Sequence, residues 1–229
     1  MASGKIYSIK GDRMLNTTQN NIVVPTGELI RNKKVDLRVV ACVSAISNVD
    51  NCARTGNNTR YTTIKKINNH LEIIANMLKL DRSKTIKRIR DIAGLRSEEF
   101  INKKREHNGE IVSCIEMKYG SGGFVTLEYI DIEFLTSSLS NNAFKLYINL
   151  LWLCVDKETN KYVERQLTQP FLLEKMGLSK SSTKILKKAE DELIEMDLIE
   201  VKTRWEFELN DDLSTSTPIA KKYYKIICA

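Results

Sequence analysis

Residues 71–94, LEIIANMLKLDRSKTIKRIRDIAG, decide how this chain is read. Leu71, Ile74, Ala75 and Leu78 recur at the spacing of one helical face. Leu80 closes a tight turn behind them. Asp81 is placed as the N-cap of the next helix, where a carboxylate accepts from amides that lack a helical partner. That helix turns Ile86, Ile89 and Ala93 inward, and Gly94 ends it. Residues 171–198, FLLEKMGLSKSSTKILKKAEDELIEMDL, repeat the device. Pro170 opens a short helix carrying Phe171, Leu172, Leu173 and Met176. Gly177-Leu178 is the turn, Ser179 the cap, and Ile185, Leu186, Ala189, Leu193 and Met196 the inward face of a long helix. The turn leucines Leu80 and Leu178 stand 98 residues apart.

Each device runs on into strand-like sequence. Ile111–Tyr119 and Phe124–Ile130 alternate around Gly120-Ser121-Gly122-Gly123, which reads as a hairpin. Ile199–Leu209 and Lys221–Cys228 flank Asn210–Pro218 and read as a second hairpin with a long tip. Outside these, Ile22–Val24 is a short strand, and Val35, Val39, Val40, Val43 and Ile46 give Lys33–Ser47 a helical spacing. Asn48–Thr63 is polar and reads as a loop, Ile64–Ile67 begins a short helix, and Arg96–Glu110 holds another helical turn or two. Leu139-Ser140 offers a staple and cap for a helix carrying Ala143, Phe144, Leu146, Tyr147, Leu150, Leu151, Leu153 and Cys154. That stripe is wide for a helix covered on one side. It suits core and interdomain packing, or a dimer seam. Asp156–Tyr162 is a turn-rich loop. The chain is therefore read as α+β, with an arm at 1–27, one helix–turn–helix unit with a hairpin at 28–131, and a second at 132–229.

The 229 residues carry a net charge of +7. Residues 1–131 hold 22 Lys+Arg against 14 Asp+Glu, and residues 132–229 hold 14 against 15. A basic excess concentrated in the first half favours a polyanionic partner there. The five cysteines, Cys42, Cys52, Cys114, Cys154 and Cys228, form no CxxC pair. Reduced thiols in a cytoplasmic protein are expected. His70 and His107 lack metal-ligand spacing, so no metal is expected. The longest apolar stretch, Tyr147–Val155, is far short of the ~20 residues that span a bilayer, so no membrane partner is expected.

The two long helices carry charge in an unusual order. The first opens with Arg82, Lys84, Lys87, Arg88 and Arg90. The second has Lys180, Lys184, Lys187 and Lys188 early, then Glu190, Asp191, Glu192 and Glu195 late. Bases at a helix N-terminus oppose the macrodipole, at a cost of about 0.3–1 kcal/mol each when exposed. A phosphate backbone at the same place reverses the sign, because dipole and lysines then both face anions. The alternative is a pair of solvated faces that tolerate the cost. Ser83, Thr85, Ser181 and Ser182 can donate to phosphates or base edges, or simply cap. Lys118 and Tyr119 lie beside the Gly-rich tip, and Lys202, Arg204 and Trp205 on the second hairpin. Trp205 is read as sheet packing or as a DNA contact. Enzymatic readings find little support. The chain lacks the HxH pair of origin-nicking nucleases, so Tyr223-Tyr224 reads as strand, and it lacks GxxxxGK[ST].

Phe134-Leu135-Thr136-Ser137-Ser138-Leu139-Ser140, followed by Ala143-Phe144-Lys145-Leu146-Tyr147 and Leu150-Leu151, resembles the helix that opens the second winged-helix domain of plasmid replication initiators and related phage replication proteins. Leu173–Met176, Gly177-Leu178 and Leu193–Ile199 follow the winged-helix pattern, with Asp197 where many such domains have Gly. The first unit matches as helix–turn–helix and wing. The resemblance implies two winged-helix domains in tandem, binding to direct repeats in double-stranded DNA at an origin, local duplex opening, and recruitment of host helicase or helicase loader, with no catalysis and no cofactor. By position it implies DNA contacts from Arg82, Ser83, Lys84, Lys87 and Arg88, and from Lys180, Ser181, Ser182, Lys184 and Lys188. A homodimer is a further expected partner. The second long helix starts about one turn early relative to Leu178. A transcription or partition regulator, and a protein-interaction module that binds no DNA, are the alternatives.

Overall fold

A computed structural model of the chain describes residues 21–51, 58–95, 100–107, 109–118, 123–209 and 216–227. Most of the expected N-terminal arm, residues 1–20, lies outside them. So do Cys52, Tyr119, the Gly-rich residues 120–122 and Cys228.

The first half runs from β1 (Asn21–Pro25) through α1 (Glu28–Arg31), α2 (Leu37–Ala45), β2 (Asn48–Asn51), β3 (Asn58–Thr63), α3 (Ile64–Asn69), α4 (Leu71–Leu78) and α5 (Arg82–Ala93). It continues with β4 (Phe100–His107), β5 (Glu110–Lys118) and β6 (Phe124–Glu128). Asp36 caps α2 by accepting from the Arg38 amide at 3.2 Å, and buries Val39, Val40 and Val43 behind it. Asp81 caps α5, accepting from the Lys84 amide at 2.7 Å. Gly94 does end α5, but with φ −81°, so the stop does not use the left-handed region.

Three expectations for this half are corrected. Asn48–Thr63 is not a loop, since β2 and β3 pair antiparallel within it. Its inward residues, Arg60 and Thr62, are polar, so apolar alternation could not mark the strand. The helical turns expected within Arg96–Glu110 are not at 100–107, which is strand β4, while residues 96–99 lie outside the described residues. The hairpin is β4–β5. His107 faces Glu110 across Asn108-Gly109, and Gly109 takes φ +81° as a two-residue turn requires. The expected pairing of 111–119 with 124–130 does not occur. β5 lies between β3 and β4 in a sheet of order β2-β3-β5-β4, while β6 pairs with β1 in a sheet of its own. Tyr129 and Ile130 already belong to the next helix.

The second half comprises α6 (Tyr129–Ser138), α7 (Asn141–Leu153), β7 (Arg165–Gln166), α8 (Gln169–Lys175), α9 (Thr183–Glu195), β8 (Ile199–Leu209) and β9 (Ser216–Ile226). The boundary drawn at 131/132 falls inside α6, which packs on α2 and α4 of the first half. Ser140 caps α7, and Ala143–Leu151 is buried throughout, Lys145 and Asn149 included. The wide stripe is thus consumed inside the chain. Ser179 does not cap the long helix. Residues 179–182 form a turn, the Ser179 hydroxyl pairs with those of Ser181 and Ser182, and α9 begins at Thr183. The helix therefore starts later than expected, not earlier. Leu186, Ala189 and Leu193 face inward, whereas Ile185 is 39% exposed. Leu186 is fully buried. Leu186→Ala is expected to cost about 2–5 kcal/mol in urea unfolding, as a core truncation. A loss under about 1 kcal/mol would mean that the inward face of α9 is misassigned.

The two halves follow one plan. Setting aside β2 and α3, which only the first half has, each places a helix, a strand, a helical segment, a second helix and a two-stranded hairpin in the order α2-β3-α4-α5-β4-β5, then α7-β7-α8-α9-β8-β9. In each sheet the strand before that helical segment pairs with the last strand, giving β3-β5-β4, with β2 added outside β3, and β7-β9-β8. The turns match as well. Lys79 (φ +50°) and Gly177 (φ +70°) sit in the left-handed region, and the amides of Leu80 and Leu178 reach back to Ala75 O and Leu173 O at 3.0 and 2.8 Å. This is the six-to-one bond of a Schellman motif. Asp197 (φ +55°) ends α9 the same way, with Leu198 donating to Leu193 O.

A polar seam joins the halves across one continuous apolar core. Asp36, 2% exposed, holds Arg38 Nη2 at 2.8 Å and Arg88 Nη1 at 2.6 Å. Arg38 Nη1 also donates to Leu139 O at 2.9 Å. Asn141 bridges Leu37 N and Val35 O, and Lys145 Nζ donates to Asn32 O at 2.7 Å. Burial pulls the Lys145 ammonium down to about 8, against the opposing pull of Asp36. The thiols of Cys42 and Cys154, both free and buried, are pushed up to about 12 and about 11 by desolvation.

Candidate nucleic-acid interface

α5 buries Thr85, Ile89 and Ile92, and the opposite side is solvent-facing. That side presents Arg82, Ser83, Lys84, Lys87 and Arg90, all exposed. Their tethers are weak. Arg82 reaches Glu72 only at 3.8 Å, and Lys84 pairs with the exposed Asp81 at 2.8 Å. The Lys84 side chain and amide together hold the Asp81 carboxyl below its ordinary range. Thr85 spends its hydroxyl on Asp81 O at 3.0 Å, so it is a cap-turn residue and not a donor to a ligand.

Arg88 does not belong with this set. It is 41% exposed, but its guanidinium is committed to the buried Asp36 carboxylate. A guanidinium with a buried counterion is structural first. Lys118 is also displaced from its expected place. The hairpin turns between His107 and Glu110, and Lys118 is the last residue of β5, opposite Thr59. Eight residue steps beyond Glu110 put it about 27 Å along the strand from the turn.

The hairpin supplies two bases that the helical reading of 96–110 concealed. Lys103 and Lys104 lie exposed on β4, and β4 packs beside α5. Lys103 pairs with the buried Glu116 at 2.6 Å, while Lys104 projects on the other side of the strand. The Asn-Gly dipeptide at 108–109 was the signal that could have placed them.

In the second half, Lys180 and Ser181 sit exposed in the turn before α9, and Ser182 is its half-buried N-cap residue. Lys184 and Lys188 overhang a shallow groove of about 330 Å³, lined also by Ser140, Asn142, Ile185 and Ala189. Lys187 is exposed beside them. The acidic end of α9 is engaged internally. Glu190, buried, accepts from Lys222 Nζ at 2.7 Å and from the Tyr224 hydroxyl, whose own ionisation is pushed up by burial and by that carboxylate. The Glu192 carboxylate accepts from the Ser140 amide. Glu190 and Glu192 therefore fasten the helix, while Asp191 and Glu195 are exposed.

On the second hairpin, Lys202 pairs with Glu200 at 3.1 Å. Arg204 pairs with Glu164 and lies 4.4 Å over the Tyr223 ring. The hairpin tip at 210–215 lies outside the described residues. Trp205 is not packed on the sheet core, being 68% exposed.

The expected contacts thus leave two exposed basic faces, one on α5 and one at the start of α9; Arg88 and Lys118 lie outside them, as do Lys202 and Arg204, which pair with Glu200 and Glu164 on the second hairpin. Among the described residues, no group of three or more His, Cys, Asp or Glu is placed to hold a metal ion. No helix among them is long and apolar enough to cross a membrane. No protein-family model matches the chain, and no curated protein matches it.

Proposed function

We propose that this chain binds double-stranded DNA through two winged-helix units in tandem, and that its role is replication initiation at a plasmid or phage origin. The observation that carries the DNA reading is the repetition. With β2 and α3 of the first unit set aside, the two units share one element order and one order of three strands, and each sets a helix with an exposed basic face after a Schellman turn, at once in α5 and after the turn 179–182 in α9. In each unit that helix is the one such domains lay in a major groove. The role at an origin rests on the likeness of the 134–151 segment to initiators. It entails binding to repeated sites and docking of host helicase or its loader.

In this reading α5 enters the groove with Arg82, Ser83, Lys84 and Lys87, and the β4–β5 hairpin rests Lys104 along a phosphate strand, Lys103 being held by the buried Glu116. α9 makes the second approach through Lys180, Ser181, Lys184 and Lys188. The first unit supplies more of the electrostatic grip, in keeping with its charge excess.

The test is binding of the full chain to DNA flanking its own gene, by protection mapping at several salt concentrations. Regularly spaced direct repeats are the expected footprint. A single palindromic footprint over a promoter would replace the initiator role with a regulator's. Lys84→Ala with Lys87→Ala is expected to weaken binding and to reduce the salt slope by about two charge units, since both contacts release counterions. Lys87 is chosen over Arg88 because loss of Arg88 would disturb the Asp36 seam as well. Unchanged affinity and slope in the folded double variant would overturn the placement of α5 on DNA.

A further inference from the structure

β8 is the outer strand of the sheet β7-β9-β8, and no strand among the described residues lies on its other edge. Its eleven residues pair with β9 in one unbroken register from Ile199↔Ile226 to Leu209↔Ser216. The Ile227 amide donates to Leu198 O at 3.1 Å, which makes Leu198 and Ile227 a hydrogen-bonded pair in that register. Antiparallel ladders alternate such pairs with non-bonded ones. The even-numbered residues of β8 therefore spend their backbone groups on β9. Val201, Thr203, Trp205 and Phe207 aim theirs at the open edge.

The same odd-numbered residues share one side-chain face. At its base Ile199 is buried, but further out Trp205 is 68% and Phe207 71% exposed. The other face carries Lys202, Arg204 and Glu206. A base, Arg204, precedes Trp205 and an acid, Glu206, follows it. Such a pattern matches itself when the strand is turned by a two-fold axis through its midpoint.

We propose that β8 pairs antiparallel with the β8 of a second copy of this chain, about a two-fold axis at Trp205. Trp205 then lies opposite the partner's Trp205, with mutual backbone hydrogen bonds. Thr203 faces the partner's Phe207, and Arg204 the partner's Glu206. Registers offset by one residue set outward backbone groups against spent ones. An axis at Arg204 or at Glu206 sets like charges directly opposite, which is destabilising. An axis at Val201 satisfies both the ladder and the charges but pairs only residues 199–203, so the Trp205 register is the long one that satisfies both. Within each chain Arg204 holds Glu164 and Tyr223, and Glu206 holds Lys221 and Tyr223. The cross-strand pairs extend that network without opposing it. An unpaired edge this long, carrying exposed aromatics and no bulge, is the kind of edge that native proteins cover. An isologous contact closes the assembly at two copies. The inference rests on the strand and not on the DNA reading.

The test is sedimentation equilibrium of the full chain without DNA. The wild-type protein is expected to form a dimer. Arg204→Glu alone and Glu206→Arg alone are each expected to weaken it by about tenfold or more, since each puts two like-charge pairs across the axis. An equimolar mixture of the two variants is expected to restore dimers, because every cross-strand position then faces an unlike charge again. Mild oxidation of Trp205→Cys is expected to join that position to itself in a disulfide assigned by peptide mass spectrometry, and Thr203→Cys is expected not to self-join. This second measurement does not depend on how the charge variants fold. A monomeric wild-type chain, charge variants as dimeric as wild type, a mixture that stays monomeric, or a failure of Trp205→Cys to cross-link would each overturn the proposal.

Discussion

Asp36→Ala is expected to remove about 3–5 kcal/mol from the unfolding free energy, measured by urea titration. The side chain does four things at once. It caps α2, it binds Arg38 in two places, it anchors Arg88 from α5, and it offsets the buried Lys145 ammonium. The cap alone is worth about 1 kcal/mol. The larger share comes from the charges left behind, because Arg38 and Lys145 are both largely sheltered from water and would face no carboxylate. Asp36→Asn keeps a capping oxygen and should fall between alanine and wild type. A loss below about 1 kcal/mol for the alanine variant would show that the seam contributes no more than a solvated surface pair.

Gly177→Ala is expected to cost about 3 kcal/mol or more, again by equilibrium unfolding. Left-handed backbone by itself asks for less. Lys79 and Asp197 hold the same region with ordinary side chains, at a cost of roughly 1–2 kcal/mol each. What distinguishes Gly177 is the neighbour. A Cβ there would run into the backbone carbonyl of Arg31, at the end of α1. The turn between α8 and α9 is pressed directly against the first half, and any side chain must prise the two apart. Lys79→Gly, by contrast, should be neutral or mildly stabilising. Equal small effects at positions 79 and 177 would mean that the contact with Arg31 yields easily.

Much of the helical architecture was legible in the chain, because the helices of both devices announce themselves by apolar spacing and caps. Leu71, Ile74, Leu78, Leu172, Leu173, Leu186 and Leu193 all face the core as their spacing indicates. The strands were harder where their inward residues are polar or their partners distant. Arg60 and Thr62 face inward from β3, so no apolar rhythm marks it. β1 finds its partner about a hundred residues away, which no local pattern encodes. The Gly-rich run at 120–123 drew attention from Asn108-Gly109, the true hairpin turn. In the candidate interface, local charge located the faces of α5 and α9 but could not tell a free base from a committed one. Arg88 differs from Lys87 only through Asp36, fifty-two residues earlier.

The pairing of β1 with β6 also bears on the order in which the molecule can be completed. A nascent chain that has emerged through Lys118 already holds every helix and the hairpin of the first unit. Yet β1, though it can lie on α2, has no strand to pair with until residues 124–128 follow. Arg38 and Leu37 wait longer still, for Leu139 and Asn141. Closing loops of this length carries an entropic cost that only the finished contacts offset. Synthesis from the N-terminus therefore completes the first unit only after the start of the second has been made, and a fragment cut at 131/132 would lack its contacts to Leu139 and Asn141.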